Sequence, residues 1–236
     1  MTATTLFVLI VTAVGIPFFA LWLDRRFENN LVANNPDARL ISYREVMLFL
    51  WGMTGIVFAG MAVAGVPLAD IGLSFVFDPA ALIGLGCTVL LLVVMAMQYI
   101  HLTKSSDALA DVQATFDGSE GVRRFMPRNE AEYSRFNLVS ITAGITEEII
   151  FRGYIIWALA LVMPLWAAAV LSLVAFVASH AYQGLSKALM GVVLTGGALT
   201  LLTIFSGSLL PAIILHIAVD LNSNRICRLV NNKVSA

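Results

Sequence analysis

The chain has 236 residues, of which 59% are hydrophobic and only 12% are charged. Soluble domains carry roughly 25% charged residues, so this composition excludes an ordinary soluble fold and predicts an integral membrane protein. The net charge of −1 argues against a nucleic-acid partner. No internal repeat is visible, and we interpret residues 1–236 as one integral membrane domain.

Seven apolar runs each approach the roughly 20 residues that a membrane-spanning helix needs. They cover residues 5–23, 46–66, 80–102, 136–160, 165–182, 187–205 and 208–222. The first run is too long for a cleavable signal and lacks a basic segment before it, so it predicts a retained helix. The fold class is therefore predicted to be all-α, a polytopic transmembrane helix bundle of about seven spans.

The segments between these runs are also informative. Residues 24–45 are polar and predict a loop, while residues 103–135 predict one or two amphipathic helices broken at Asp117-Gly118 and at Pro127. Three glycines in the sixth run suggest that this helix is broken or kinked. Cys87 and Cys227 have no metal-binding or redox spacing and are interpreted as packing residues.

The basic residues predict the orientation of the bundle. With seven spans, every Lys and Arg except Arg152 falls on one side of the membrane. The N-terminus and the loops near 67–79, 161–164 and 206–207 carry none. Because cytoplasmic loops are enriched in Lys and Arg, we expect the N-terminus outside and the C-terminus in the cytoplasm. The predicted location is the inner (plasma) membrane, as a multi-pass protein.

The fourth apolar run contains three charged side chains within six residues: Glu147, Glu148 and Arg152. An ionisable group inside the membrane costs roughly 2.5–3.5 kcal/mol on insertion scales, so such groups usually serve a function. Glu148 and Arg152 are four residues apart and are predicted to pair on one helix face. Glu147 lies about 100° from Glu148 around the helix axis, so its side chain can point in another direction.

Two histidines lie in later apolar runs: His180, four residues after Phe176, and His216, four residues before Asp220. We predict that Glu147 faces a polar pocket shared with both histidines. A carboxylate and an imidazole acting on one water form a general-base pair, and donors from a second helix can stabilise an oxyanion. This set of groups indicates hydrolysis of an amide bond within the membrane.

Three motifs on separate predicted helices carry a specific resemblance: Glu-Glu-x-x-x-Arg at 147–152, Phe-x-x-x-His at 176–180 and His-x-x-x-Asp at 216–220. Together they resemble the CPBP family of CAAX proteases and bacteriocin-processing proteins, also called the Abi family or type II CAAX endopeptidases. The resemblance covers a predicted catalytic core at residues 123–222. It implies an intramembrane endopeptidase that cleaves a peptide bond in a membrane-associated protein or peptide.

The resemblance also implies roles for individual residues. Glu147 and His180 would activate the attacking water, while His216 and Asp220 would line the oxyanion side. The supporting residues are Glu148, Arg152 and Phe176. Many eukaryotic members have Asn at the position of Asp220, and an ionised Asp cannot donate a hydrogen bond to an oxyanion. Asp220 could instead orient and charge His216, so its role stays open.

Several alternatives stay open. A non-proteolytic membrane scaffold or bacteriocin self-immunity protein would keep the pocket without turnover, and a proton-coupled transporter would use the same Glu and His as a relay. We predict no cofactor, because the chain lacks His-Glu-x-x-His and a Glu that binds metal cannot also be the free base. Zinc held by Glu147, His180 and His216 is the alternative. The absence of Lys and Arg from the outer loops suggests a bacterial protein that acts on peptides in the lipid bilayer.

Overall fold

A computed structural model describes residues 1–74, 78–184 and 187–234, and all regular elements among these residues are helical, as predicted. The helices are α1 (Ala3–Val32), α2 (Ala38–Ala64), α3 (Pro79–Lys104), α4 (Ser106–Asp117), α5 (Glu120–Phe125), α6 (residues 130–160), α7 (Leu165–Ser179), α8 (Lys187–Ser206) and α9 (Leu210–Val234). Short 3-10 turns lie at Leu68–Ile71 and Ala181–Gln183.

Helices α1, α2, α3 and α8 are long and apolar enough to cross a membrane. Helix α7 is also apolar but has only 15 residues. Large apolar side chains such as Phe18, Ile83 and Phe205 are exposed on these long helices, as expected for surfaces that face lipid. The chain is therefore a membrane protein, while the count of seven spans and the orientation of the termini stay predictions.

The prediction of a polar loop at 24–45 is wrong. Helix α1 continues to Val32 and α2 begins at Ala38, so only a short turn around Asn34, with φ 54°, separates them. Several charged residues of this region have partners on other helices, which stabilise the helical extension. Arg26 pairs with Glu45 at 2.9 Å, for example. The hydropathy of the sequence reflects the charged residues but carries no information about their partners.

The polar stretch at 103–135 contains two short helices, α4 and α5, as predicted, while residues 130–135 already belong to α6. Gly118 follows the last residue of α4, and Ser119 caps α5, its Oγ accepting from the amide of Val122. Helix α8, in contrast, is continuous from Lys187 to Ser206, so the prediction of a broken helix is wrong. A Cβ at Gly196 would lie 3.0 Å from the Phe176 ring, so this glycine serves helix packing instead of bending.

The last helix is longer than predicted: α9 extends from Leu210 to Val234 and not to residue 222. Its polar second half packs against the start of α6. Asn224 donates to the carbonyl oxygen of Tyr133 at 3.0 Å, and Asn231 donates to the Tyr133 hydroxyl at 2.7 Å. These hydrogen bonds explain why the helix continues beyond its apolar portion.

Helix α6 lies at the centre of the bundle and contacts both α2 and α9. It comprises the α-helical Glu130–Glu147, a π-helical segment Glu148–Ile155 and a final α-helical turn. Every residue of the π-helical segment is buried. Buried polar contacts hold it from two sides, since Tyr154 donates to the Thr5 carbonyl and Ser172 donates to the Phe151 carbonyl. The central helix is thus the one that carries the predicted ionisable cluster.

Helices α6 and α9 pack closely at Gly144, where a Cβ would lie 2.8 Å from the backbone nitrogen of Ile217. We predict that Gly144→Ala lowers the free energy of unfolding by about 1–3 kcal/mol, because α9 must move away to admit the methyl group. Gly55→Ala is the control, since no atom lies within 4 Å of a Cβ there. Denaturant unfolding in detergent would measure both, and equal effects would contradict this packing.

Candidate active site

The site contains a buried ion pair within α6. Arg152 Nη1 lies 2.9 Å from Glu148 Oε1, and the side chains of both residues are almost completely buried. The guanidinium also donates to the Gly196 carbonyl at 3.1 Å and lies 4.0 Å from the centre of the Phe176 ring. Thr200, 3.4 Å from Arg152 Nε, completes its surroundings. The predicted Glu148–Arg152 pair is therefore present and anchored to α7 and α8.

His216 on α9 joins this pair, which the spacing of residues did not predict. Its Nδ1 lies 2.7 Å from Glu148 Oε1, the same oxygen that Arg152 contacts. A carboxylate oxygen accepts hydrogen bonds, so Nδ1 donates and Nε2 points the other way. Nε2 lies 3.9 Å from Glu147 Oε2 and 3.8 Å from Asp220 Oδ2. Glu148, and not Asp220, is the hydrogen-bonded partner that orients His216.

The second carboxylate, Glu147, has a different environment. Its Oε2, like Glu148 Oε2, is buried and receives no hydrogen bond from the described residues. Glu147, unlike Glu148, lines a cavity of about 600 Å³ that is also lined by His180, His216 and Asp220. The structure therefore brings all four predicted catalytic residues to one cavity.

His180 is placed by the end of α7. It is the C-cap residue, and its Nδ1 lies 2.9 Å from the carbonyl oxygen of Phe176, one turn earlier. Because a carbonyl oxygen only accepts, Nδ1 carries the proton and Nε2 keeps a lone pair. The rings of Phe176 and His180 are 4.7 Å apart. His180 thus has the tautomer of a base, in a position set by local helix geometry.

The π-helical segment begins at Glu148, directly after Glu147. Such segments are rare and are found frequently at functional sites. Sequence analysis did not predict it, since no residue pattern distinguishes a π turn from an α turn here. It also missed Thr200, although Thr200 lies one turn after Gly196 on α8 and its hydroxyl donates to the Gly196 carbonyl at 2.8 Å.

Metal binding was the alternative for Glu147, His180 and His216. Among the residues that the structure describes, no group of three His, Cys, Asp or Glu side chains is arranged to hold a metal ion. His216 Nδ1 is also engaged with Glu148 at 2.7 Å, which leaves only its Nε2 for any ligand in the cavity.

The order and geometry of these groups can be compared with known proteins. Residues 130–222 match the family model for type II CAAX prenyl endopeptidases, Rce1-like. This match confirms the resemblance to the CAAX protease family and supports a protease role. It begins at residue 130, seven residues later than the predicted core, and contains both glutamates and both cavity histidines. No curated protein and no solved structure matches the chain.

The buried pair gives a prediction about stability. Arg152→Leu should destabilise the protein by about 3–5 kcal/mol, because it leaves the Glu148 carboxylate buried without its cation. Arg228→Leu is a matched control: Arg228 also pairs with a glutamate, Glu130, and lies over an aromatic ring, Tyr133, but on the surface. Its loss should cost no more than about 1 kcal/mol.

Unfolding of both variants in the same detergent would measure the difference between the buried and the exposed pair. Similar losses for Arg152→Leu and Arg228→Leu would show that the buried pair is not an essential neutralising contact.

Proposed function

We propose that the protein is an intramembrane endopeptidase that hydrolyses a peptide bond of a membrane-associated protein or peptide, as in CAAX-type endopeptidases. The observation that carries the proposal is the convergence of Glu147, His180 and His216 on one cavity, which Glu148 does not line. The family match over residues 130–222 supports the same class of reaction.

In the proposed mechanism, Glu147 and His180 activate a water. The water donates to the Glu147 carboxylate and to the lone pair on His180 Nε2, both of which can only accept. As one proton moves to Glu147, the hydroxide oxygen attacks the carbonyl carbon of the scissile bond. General-base catalysis of this kind contributes typically 10²–10⁴-fold to the rate.

His216 is proposed to stabilise the oxyanion that develops on the substrate carbonyl. Its Nδ1 donates to Glu148, so Nε2 is directed towards the cavity and can donate when it is protonated. The 3.9 and 3.8 Å separations from Glu147 and Asp220 leave this nitrogen without a direct hydrogen bond to either. The oxyanion can therefore become its partner. The intermediate then collapses as the amine leaves with the proton that Glu147 had accepted.

Asp220 and Phe176 have supporting roles in this proposal. Asp220 lies at the cavity wall near His216 and favours a positive charge on that ring without orienting it. Phe176 supports the site through its ring, which lies against the Arg152 guanidinium, and through its carbonyl, which sets the His180 tautomer.

The proposed mechanism uses no metal, since Glu147 as a ligand could not also be the free base. We also propose that the substrate enters from the lipid bilayer, because much of the cavity wall is apolar and includes Leu23, Phe49 and Val192.

The central prediction concerns Glu147 and His180. Glu147→Gln and His180→Ala should each lower cleavage of a membrane-bound substrate by at least about 100-fold, because each removes an acceptor for the attacking water. Glu130→Gln and His101→Ala are the controls. They make the same side-chain changes at residues that are exposed. Cleavage by purified protein in proteoliposomes would measure the effects.

Three results would oppose the proposal in different ways. Full activity of both Glu147→Gln and His180→Ala would contradict the site assignment. Loss of wild-type cleavage in a strong chelator, with recovery on adding zinc, would favour the metal mechanism. An unchanged cellular phenotype of Glu147→Gln would favour the scaffold or immunity function.

We further propose seven spans in the inner membrane, with the N-terminus outside and the C-terminus in the cytoplasm. Two contacts at one end of the bundle support this: Leu209 donates to the Gly72 carbonyl, and Tyr154 donates to the Thr5 carbonyl. These contacts gather segments that lack Lys and Arg. At the other end, Arg228 and Glu130 lie together. The ends thus differ in their content of Lys and Arg, which supports the proposed orientation by the positive-inside rule.

Cysteine labelling can test this topology in a variant whose Cys87 and Cys227 are replaced by Ser. A membrane-impermeant maleimide added to intact cells should label Asp70→Cys but not Lys233→Cys, because the reagent reaches only the outer side. Permeabilised cells provide the control, in which both should react. Labelling of Lys233→Cys in intact cells would contradict the proposed orientation.

A further inference from the structure

His180 lies just beyond the regular part of α7, where a helix gives little support. It is the C-cap residue, with φ −103° and ψ 11°, and the chain continues as the 3-10 turn Ala181–Gln183. Its hydrogen bond to the Phe176 carbonyl selects the tautomer. That bond lies within the same chain segment, however, so it does not tie the turn to the rest of the bundle.

The turn after His180 is held by α5 and its capping residue. Ser119 Oγ donates to the Gln183 carbonyl at 2.7 Å. Gly121 packs directly against the backbone of Tyr182, where any Cβ would overlap the Tyr182 carbonyl oxygen. The Tyr182 ring in turn stacks on the His180 ring, with centroids 6.1 Å apart. A continuous set of contacts therefore connects α5 to the imidazole.

Helix α5 is itself fastened to the first two helices. Arg124 pairs with Glu28 of α1 at 2.8 Å, and its carbonyl accepts from Arg39 Nε of α2 at 2.9 Å. The Phe125 carbonyl accepts from the buried hydroxyl of Tyr43 at 2.6 Å. Short helices of this length have little stability alone, so these contacts determine where α5 lies.

We propose that Ser119 and Gly121 are positioning residues that hold His180 in its reactive orientation through the 181–183 turn. The inference rests on the proposed function, in which His180 is a base. It goes beyond the family resemblance, because Ser119 and Gly121 precede both the region 123–222 that resembles the family and the matched residues 130–222. The first two helices then support catalysis by fixing α5, although they contribute none of the proposed catalytic groups.

The test uses a pair of serines with the same local role. Ser119 and Ser105 are both N-caps whose Oγ accepts from a backbone amide three residues later. Only Ser119 also donates to the 181–183 turn. Comparing Ser119→Ala with Ser105→Ala in the full-length protein therefore separates loss of a helix cap from loss of the contact to the turn. Gly121→Ala is a second variant, in which the added methyl group would overlap the Tyr182 carbonyl oxygen and displace the same turn.

The direct readout is the ¹⁵N spectrum of the imidazoles in histidine-labelled protein. The chain has three histidines, so single substitutions can assign each signal. In the wild type, His180 should show a protonated Nδ1 and an unprotonated Nε2. Ser119→Ala and Gly121→Ala should shift or broaden the His180 signals and leave those of His101 unchanged, whereas Ser105→Ala should change neither.

Turnover provides the second readout. Ser119→Ala should lower kcat by at least about tenfold, a part of the 10²–10⁴-fold that a positioned base contributes. Ser105→Ala should retain wild-type kcat. Unchanged His180 signals in both Ser119→Ala and Gly121→Ala would overturn the inference, as would equal shifts in Ser105→Ala.

The two readouts also distinguish this inference from the proposed function. If Glu147→Gln and His180→Ala both cleave as fast as the wild type, the proposed catalytic site fails. The His180 spectra do not depend on turnover, and they still decide whether α5 positions this ring.

Discussion

The structure depends on one carboxylate that is buried in the centre of the bundle. Glu148 is 0% exposed, and its Oε1 accepts from both Arg152 and His216. An isolated buried charge is very costly, so this position forces partners to converge on it. His216 comes from α9, and Arg152 links the pair to α8 through the Gly196 carbonyl. A single ionised group thus determines how three helices pack around the cavity.

The adjacent carboxylate, Glu147, does not take part in the contacts of Glu148 Oε1 with Arg152 and His216. Successive helical residues point about 100° apart, so Glu147 leaves the ion pair and faces the cavity. Its neighbour is neutralised by Arg152, which limits the repulsion between the two carboxylates. This division between a structural carboxylate and the proposed reactive one explains how one helix can carry both.

Sequence reasoning succeeded where contacts are local. The spacing of Glu148 and Arg152 predicted their pairing, because residues four apart are neighbours on any helix. It could not predict that His216 bonds Glu148, since 68 residues separate them and spacing carries no information about which helices approach. The same limit explains the error at residues 24–45. In the helical extension of α1, Asp24 pairs with Arg124, which lies 100 residues later in the sequence.

Glycine shows the same limit in another form. A glycine in a helix either weakens it or admits a close neighbour, and only the neighbour distinguishes these outcomes. At Gly196 the sequence suggested a kink, but the side chain of Phe176 occupies the space beside it. Phe176 is also the residue whose ring covers Arg152 and whose carbonyl selects the His180 tautomer. The close contact between Gly196 and Phe176 therefore helps to position both Arg152 and His180.

The residues that match the family model do not enclose the cavity by themselves. They carry the carboxylates and both cavity histidines, but the wall is completed by residues of other helices, such as Leu23 of α1 and Phe49 of α2. Electrostatic catalysis is strongest where bulk water is excluded. Enclosure of the cavity by α1 and α2 would therefore strengthen the electrostatic interactions of the proposed catalytic groups, although these two helices contribute no catalytic group of their own. In such an arrangement the reactive groups can stay constant while changes in the first two helices alter which substrate the cavity admits.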